Sequence, residues 1–169
     1  MARAISGAFL RQLLRQESGD AAIWFLTIEH DDLTAPIRIV CDGVNYAFND
    51  FEWIGFRFDI NLLTDDESSP KCQIQLQNAD RRIGDALKAL TSTVRICIDI
   101  VAASEFDQTV VPRVALGDAP FEYTANHLRL ANVSVDAMMI TGDVISRDYS
   151  QDSFPARLAT QDKFPGLYR

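Results

Sequence analysis

Between Ile54 and Leu62 every second residue is apolar: Ile54, Phe56, Phe58, Ile60 and Leu62, with Gly55, Arg57, Asp59 and Asn61 between them. Side chains on a strand alternate between its two faces, so the pattern predicts a strand with one buried face and one wet face. The alternation resumes after Pro70, where Cys72, Ile74 and Leu76 are set against Lys71, Gln73, Gln75 and Gln77. The link from Leu63 to Pro70 carries Asp65, Asp66 and Glu67 in a row. Three like charges repel and gain nothing from burial, which predicts an exposed hairpin tip. The period then changes. Asn78 or Asp80 can cap a helix, and Ile83, Leu87 and Leu90 fall on one helical face, predicting a helix over 81–90.

The same reading extends along the chain. Ile5, Phe9 and Leu13 lie one turn apart, so 4–15 reads as an amphipathic helix with Arg3, Arg11 and Arg15 on its positive face. Residues 22–29, AIWFLTIE, are apolar on both faces, as in a strand covered on both sides. His30 to Leu33 reads as a turn, and a strand begins at Pro36 with Ile37, Ile39 and Cys41 alternating. Asp42-Gly43 signals a tight hairpin returning through 44–48, and Asn49-Asp50 breaks that strand. Further strands are expected at 94–100, 110–116, 121–124, 127–135 and 137–146, with Thr141-Gly142-Asp143 bending the last. In 94–100 the polar set Arg95, Cys97 and Asp99 repeats the wet face of the earlier strands. The segment from Ser153 to Arg169 lacks periodicity and holds two Phe-Pro pairs, which favour an extended arm. Eight to ten short strands with two helices give an α+β, mainly β, barrel or sandwich: one domain over 1–152 and an arm over 153–169.

Composition narrows the function. The 169 residues are 24% charged and 47% hydrophobic, as in ordinary globular domains, and the net charge is −8. A dedicated nucleic-acid binder needs a basic stripe to displace counterions from phosphates, so that class is disfavoured. No run approaches 18 apolar residues, and the N-terminus does not read as a secretory signal.

Candidate chemistry is sparse. Cys41, Cys72 and Cys97 could hold a metal or serve as small apolar core residues. Their wide spacing and the lack of a CxxC pair favour the core. His30-Asp31-Asp32 invites a general-base or metal reading, but His127 is the one other histidine and a polar turn explains the run. Asp65-Asp66-Glu67 lacks the alternating ligand spacing of a calcium loop, and Ser6, Ser134 and Ser153 sit in no nucleophile setting. No enzyme activity, cofactor or metal is expected.

The segments FRFDINLLTDDESSPKCQIQLQNADRRI, NVSVDAMMITGDVISRD and SFPARLATQDKFPGLYR, with LTIEHDDLTAPIRIV before them, resemble a family of tailed-phage minor tail proteins. In that family, encoded near the tape-measure gene, an acidic tip precedes a proline and a strand that ends in an Asn-x-Asp-Arg helix start. Here these are Asp65 to Glu67, Pro70 and Asn78 to Arg81, and the closing Phe-Pro-Gly-Leu-aromatic is Phe164 to Tyr168. Related minor tail proteins of the lambda kind carry a cysteine-ligated iron–sulfur cluster, for which this chain lacks four clustered cysteines. The resemblance implies a structural part of a siphophage tail tip or baseplate, built around a barrel similar to the tube subunit. Its copies would form six-fold or three-fold rings between tube and hub, assembled in the host bacterial cytoplasm and surrounding a channel that DNA crosses without specific binding.

On that view Arg57, Asp59, Asn61, Lys71, Gln73, Gln75 and Gln77 face a lumen or subunit seam. Asp65, Asp66, Glu67, Phe154, Phe164, Leu167 and Tyr168 then contact neighbours. The same polar residues also suit an ordinary solvated sheet face. An alternative of another class is a receptor- or carbohydrate-binding accessory module with Trp53, Tyr46 and Tyr123 lining its site. It should be a sound monomer with a cleft, whereas a ring protein should keep its aromatics in interfaces.

Overall fold

The computed structural model describes residues 5–15, 20–60, 71–77, 82–88, 90 and 92–146. The acidic tip at Asp65 to Glu67, Asn61, the Asn78 and Asp80 cap, and the arm with Phe154, Phe164, Leu167 and Tyr168 lie outside them. Ten strands follow one another: β1 (Ala22–Glu29), β2 (Ile37–Val40), β3 (Tyr46–Phe48), β4 (Phe51–Gly55), β5 (Phe58–Ile60), β6 (Lys71–Gln77), β7 (Val94–Ala102), β8 (Arg113–Val114), β9 (Tyr123–Val135) and β10 (Met139–Ser146). Helix α1 spans Gly7–Leu13 and α2 spans Arg82–Lys88. The protein is mainly β, as its alternation predicts.

All ten strands join one sheet in the order β5-β6-β10-β9-β7-β1-β2-β4-β3-β8, curled into a half-barrel. The curl follows from one short link. Phe56 and Arg57 alone separate β4 from β5, yet six strands lie between those two in the sheet. The sheet must bend round for its eighth strand to hand the chain back to its first. The Phe56 N–H still bonds the Val40 carbonyl at 2.9 Å, and Cys41 Sγ reaches the Phe58 carbonyl at 3.2 Å across the junction. The single strand expected over 54–62 is therefore two. Period-2 alternation survives a corner that takes up two residues, so the pattern alone did not reveal the break.

The concave side is aliphatic. Leu26, Ile28, Ile39, Ile74, Leu76, Ile96, Ile98, Leu128, Leu130, Ile140 and Val144 meet there, each at most 4% exposed. Ile83 and Leu87 of α2 pack into the same cluster, with Leu90 partly buried beside it. At one end α1 adds Phe9 against Ile100 and Ala102, with Trp24 and Tyr123 alongside. Ser6 caps α1 by accepting the Phe9 N–H at 3.1 Å, and its own N–H and Oγ both donate to Glu122 at 2.8 Å. The cap thereby ties the helix to the residue that leads into β9.

The other face of β1 and β7 is covered too, as the doubly apolar AIWFLTIE predicts. Ile23, Phe25 and Val101 pack under a flap made of β3, β4 and β8, together with Tyr46, Phe48, Trp53 and Phe106. The Asp42-Gly43 hairpin is not formed, because β2 pairs with β1 and, in parallel, with β4 rather than with β3. The tight turn is instead Asn49-Asp50 between β3 and β4, both at positive φ (52 and 61) as a two-residue hairpin requires. Gly55 is needed where the chain crosses over: a Cβ there would overlap the Val44 carbonyl. The strand expected over 110–116 shrinks to β8, and those at 121–124 and 127–135 merge into the 13-residue β9. The bend expected at Thr141-Gly142-Asp143 is a register shift against β9.

Candidate functional site

The polar set lies on the convex side of the half-barrel, opposite the aliphatic core. Cys72, Ile74 and Leu76 of β6 point inward and are buried, which turns Gln73, Gln75 and Gln77 outward. Asp59 is exposed on β5 and Arg57 is exposed in the corner before it. Lys71 starts β6 opposite Ile145.

Register then assembles residues that the sequence leaves apart. Asp59 stands opposite Gln75, Gln75 opposite Thr141, and Thr141 opposite Ser134, giving one row across four strands. A second row sets Gln73 opposite Asp143, whose carboxylate accepts from Asn132 Nδ2 at 2.8 Å. Asn132 has φ of 51, the left-handed conformation that asparagine tolerates better than most residues. Thr141, Asp143, Ser134 and Asn132 were missed as partners of the glutamines. A long-range register was the missing signal.

Farther along that face the polar row becomes buried. Asp99 is 7% exposed and Thr27 8%, since Phe25 and the flap close over this end of β1 and β7. Asp99 was expected on a wet face. Burial holds its carboxyl above the usual carboxylate range, opposed by hydrogen bonds from Thr124 and from the Cys97 thiol. Cys97 is pushed up to about 12, by burial first and then by Asp99 and Glu29. Its Sγ lies 3.1 Å from Asn126 Oδ1 and 3.5 Å from Asp99 Oδ2, so its single proton is shared between the two acceptors. The thiol is thus held protonated and inert. Cys72 is a core residue, also raised by burial, while Cys41 and Cys97 are half-buried and hydrogen-bonded.

The flap holds a second polar group. Tyr46, fully buried, donates its hydroxyl proton to Asp42 Oδ2 at 2.7 Å. Arg113 donates to both, at 2.6 Å to Asp42 Oδ2 and 2.8 Å to the Tyr46 oxygen. Burial pushes the Tyr46 phenol up to about 12; the Asp42 bond adds to this and Arg113 opposes it. All three members satisfy one another, so the group fastens β8 and the 41–45 crossover to the aromatic core rather than facing a ligand.

His30, Asp31 and Asp32 form the turn expected of them. His30 Nδ1 accepts the Asp32 N–H at 3.0 Å, leaving Nε2–H to donate to Ser92 Oγ at 2.7 Å. Asp31 pairs with Arg95 at 3.0 Å on the surface. These contacts clasp the turn to the start of β7. Among the described residues no group of three or more His, Cys, Asp or Glu side chains is placed to hold a metal ion, and no helix is long and apolar enough to cross a membrane.

The aromatic site of a carbohydrate-binding module would need exposed ring faces. Trp53 is 4% exposed and donates its indole N–H to the Phe48 carbonyl, and Tyr46 is in the core; Tyr123 is half-buried against α1. A groove of about 770 Å³ between the end of α2 and β9 has no aromatic side chain in its described lining, which includes Leu90, Val94, Val133 and Val135. No protein-family model matches this chain, and no curated protein matches it.

Proposed function

We propose that this protein is a structural component of a siphophage tail tip or baseplate, part of the ring that joins the tail tube to the hub around the DNA channel. One observation carries the reading: the rows Asp59–Gln75–Thr141–Ser134 and Gln73–Asp143 give the convex face a band of amides, hydroxyls and carboxylates, bordered by the register row Lys71–Ile145–Arg129–Arg95. A wall past which DNA slides must stay wet without holding phosphates, and acids and amides meet that need. The net charge of −8 acts in the same direction. Half-barrel architecture with a filled interior supports the reading as well, since it makes the inside a scaffold and leaves outer surfaces for neighbours. The resemblance of the 56–83, 132–148 and 153–169 segments to phage minor tail proteins supplies the particular assembly: copies in a six-fold or three-fold ring, with tube, hub and other minor tail proteins as partners. The acidic tip Asp65 to Glu67 and the anchors Phe154, Phe164, Leu167 and Tyr168 are assigned to those subunit contacts.

Cryo-electron microscopy of the intact particle tests this directly. The chain should occupy a ring at the tube–hub junction with Gln73 and Gln75 turned to the channel or to a subunit seam. A purified virion that lacks the chain would overturn the proposal.

A further inference from the structure

Two surfaces of the molecule combine exposed apolar side chains with charge, and their charges are opposite in sign. On α1 and its C-cap, Leu10 and Leu14 are 46% and 78% exposed, one turn apart, with Arg11 and Arg15 exposed next to them. Phe9 faces the other way into the core, so this leucine stripe is an outer face. On the flap, Tyr46 and Trp53 point into the aromatic core, which leaves Ala47 and Glu52 on the side turned away from it. Ala47, Glu52 and Val114 line a groove of about 420 Å³ there, bordered by Phe51, whose ring carries the Arg38 guanidinium at 3.7 Å; Phe51 and Val114 are both 47% exposed. Asp50 is part of the lining, and Leu116, 68% exposed, and Asp118 flank the lining residue Gly117.

We infer that the α1 face of one copy docks into the flap groove of a second copy. The partner's identity as a copy rests on the ring reading; charge complementarity argues for it independently. In a chain of net charge −8 two exposed arginines flank leucines that need cover, while the groove is lined by the acids Asp50 and Glu52, with Asp118 next in the chain to its Gly117 edge, against the single Arg38 stacked on Phe51. Apolar burial would supply attraction and the charges would set orientation. Geometry prevents one copy from satisfying itself. Helix α1 packs on the face of β1 and β7 that carries Trp24 and Ile100, whereas the flap covers the opposite face, with Phe25 and Val101. Two different patches joined in this way make a heterologous contact, the kind that closes into a ring when its rotation divides the circle.

Sedimentation velocity of the purified full chain over a range of concentration and salt tests the contact. Wild type should associate in a concentration-dependent way that weakens as salt rises. Arg11→Glu with Arg15→Glu, or Glu52→Lys with Asp118→Lys, should each weaken association on the order of tenfold. A one-to-one mixture of the two charge-reversed proteins should recover wild-type association, because alternating copies join either a reversed helix to a reversed groove or a wild-type helix to a wild-type groove. Leu14→Asp should abolish association with an unchanged thermal melt, the residue being 78% exposed. A chain that stays monomeric throughout, or that associates equally well in all variants, overturns the contact. If the variants associate normally and the chain is present in virions, the ring reading stands and this interface falls. Absence from virions instead removes the ring reading and leaves the measured contact in place.

Discussion

The two faces of β1 and β7 carry two cores built on different principles. The concave core is aliphatic, and its strands contribute one residue in two. The convex core is aromatic, with Phe25 against Trp53, Phe48, Tyr46 and Phe106 at ring-centroid distances of 4.9, 5.5, 5.7 and 5.8 Å. Aliphatic packing is non-directional, so many strands can share it and any one loss is spread among neighbours. The aromatic core centres on Phe25, with Phe106 a second hub against Tyr46 and Phe48, and is sealed by one polar group, Asp42, Tyr46 and Arg113. Its stability therefore depends on few residues.

That contrast can be broken most forcefully at Phe25. Phe25→Ala should cost about 3–5 kcal/mol, near the top of the range for core truncations, because four rings lose their common partner. Denaturant unfolding compared with Ile74→Ala, expected at the lower end of the range of about 2–5 kcal/mol because neighbouring strands share the loss, would measure the difference between the cores. Equal losses would mean that the aromatic core is no more concentrated than the aliphatic one.

Removal of the seal comes next. Arg113→Ala should cost about 1–3 kcal/mol by leaving Asp42 and Tyr46 short of a donor inside the flap. The seal also predicts an alkaline limit. A phenol raised in the folded state contributes stability that is complete below pH about 10 and is lost as pH rises toward 12. Tyr46→Phe should flatten stability across that window, measured by thermal melts at stepped pH.

A smaller effect of opposite sign is expected at Asp99. Its raised carboxyl is stabilising when protonated, and the contribution is lost as pH rises out of the acid range. Asp99→Asn should gain on the order of 1 kcal/mol at pH 7 and little at low pH. A loss at pH 7 would show that the ionised carboxylate is required where it is. Least of all in folding, Gln73→Lys with Gln75→Lys should change stability by less than about 0.5 kcal/mol, since each faces outward beside an acid, Asp143 or Asp59. If the proposed tail role holds, the same pair should impair phage assembly or DNA ejection. Normal infectivity would count against the proposed role of that face.

Legibility divided along the same line. The aliphatic core could be read because each of its strands declares itself locally: Cys72, Ile74 and Leu76 alternate, and Ile83 and Leu87 recur one turn apart. The flap could not, since two of its pairings, β2 with β4 and β3 with β8, are parallel and join segments with no local signal between them. Asp42-Gly43 looks like a hairpin turn, but Asp42 is taken by Tyr46 and Arg113, and the turn falls to Asn49-Asp50. Of the polar face, Gln73, Gln75, Gln77 and Asp59 could be grouped from alternation alone. Their neighbours Thr141, Asp143 and Ser134 could not, because register between distant strands leaves no trace in either sequence.

The corner at Phe56-Arg57 carries a further consequence, for the order in which the molecule comes apart. A three-residue strand at the end of a sheet is ordinarily the first to fray, with amide exchange close to that of a loop. Here β5 is tethered through two residues to β4, six strands away along the ladder, and the Phe56 N–H is engaged by Val40. Release of β5 must therefore tug on β2 and β4. The corner converts a weak terminus into a cooperative one, and the amides of Phe58 to Ile60 should exchange in step with those of Ile54 and Gly55.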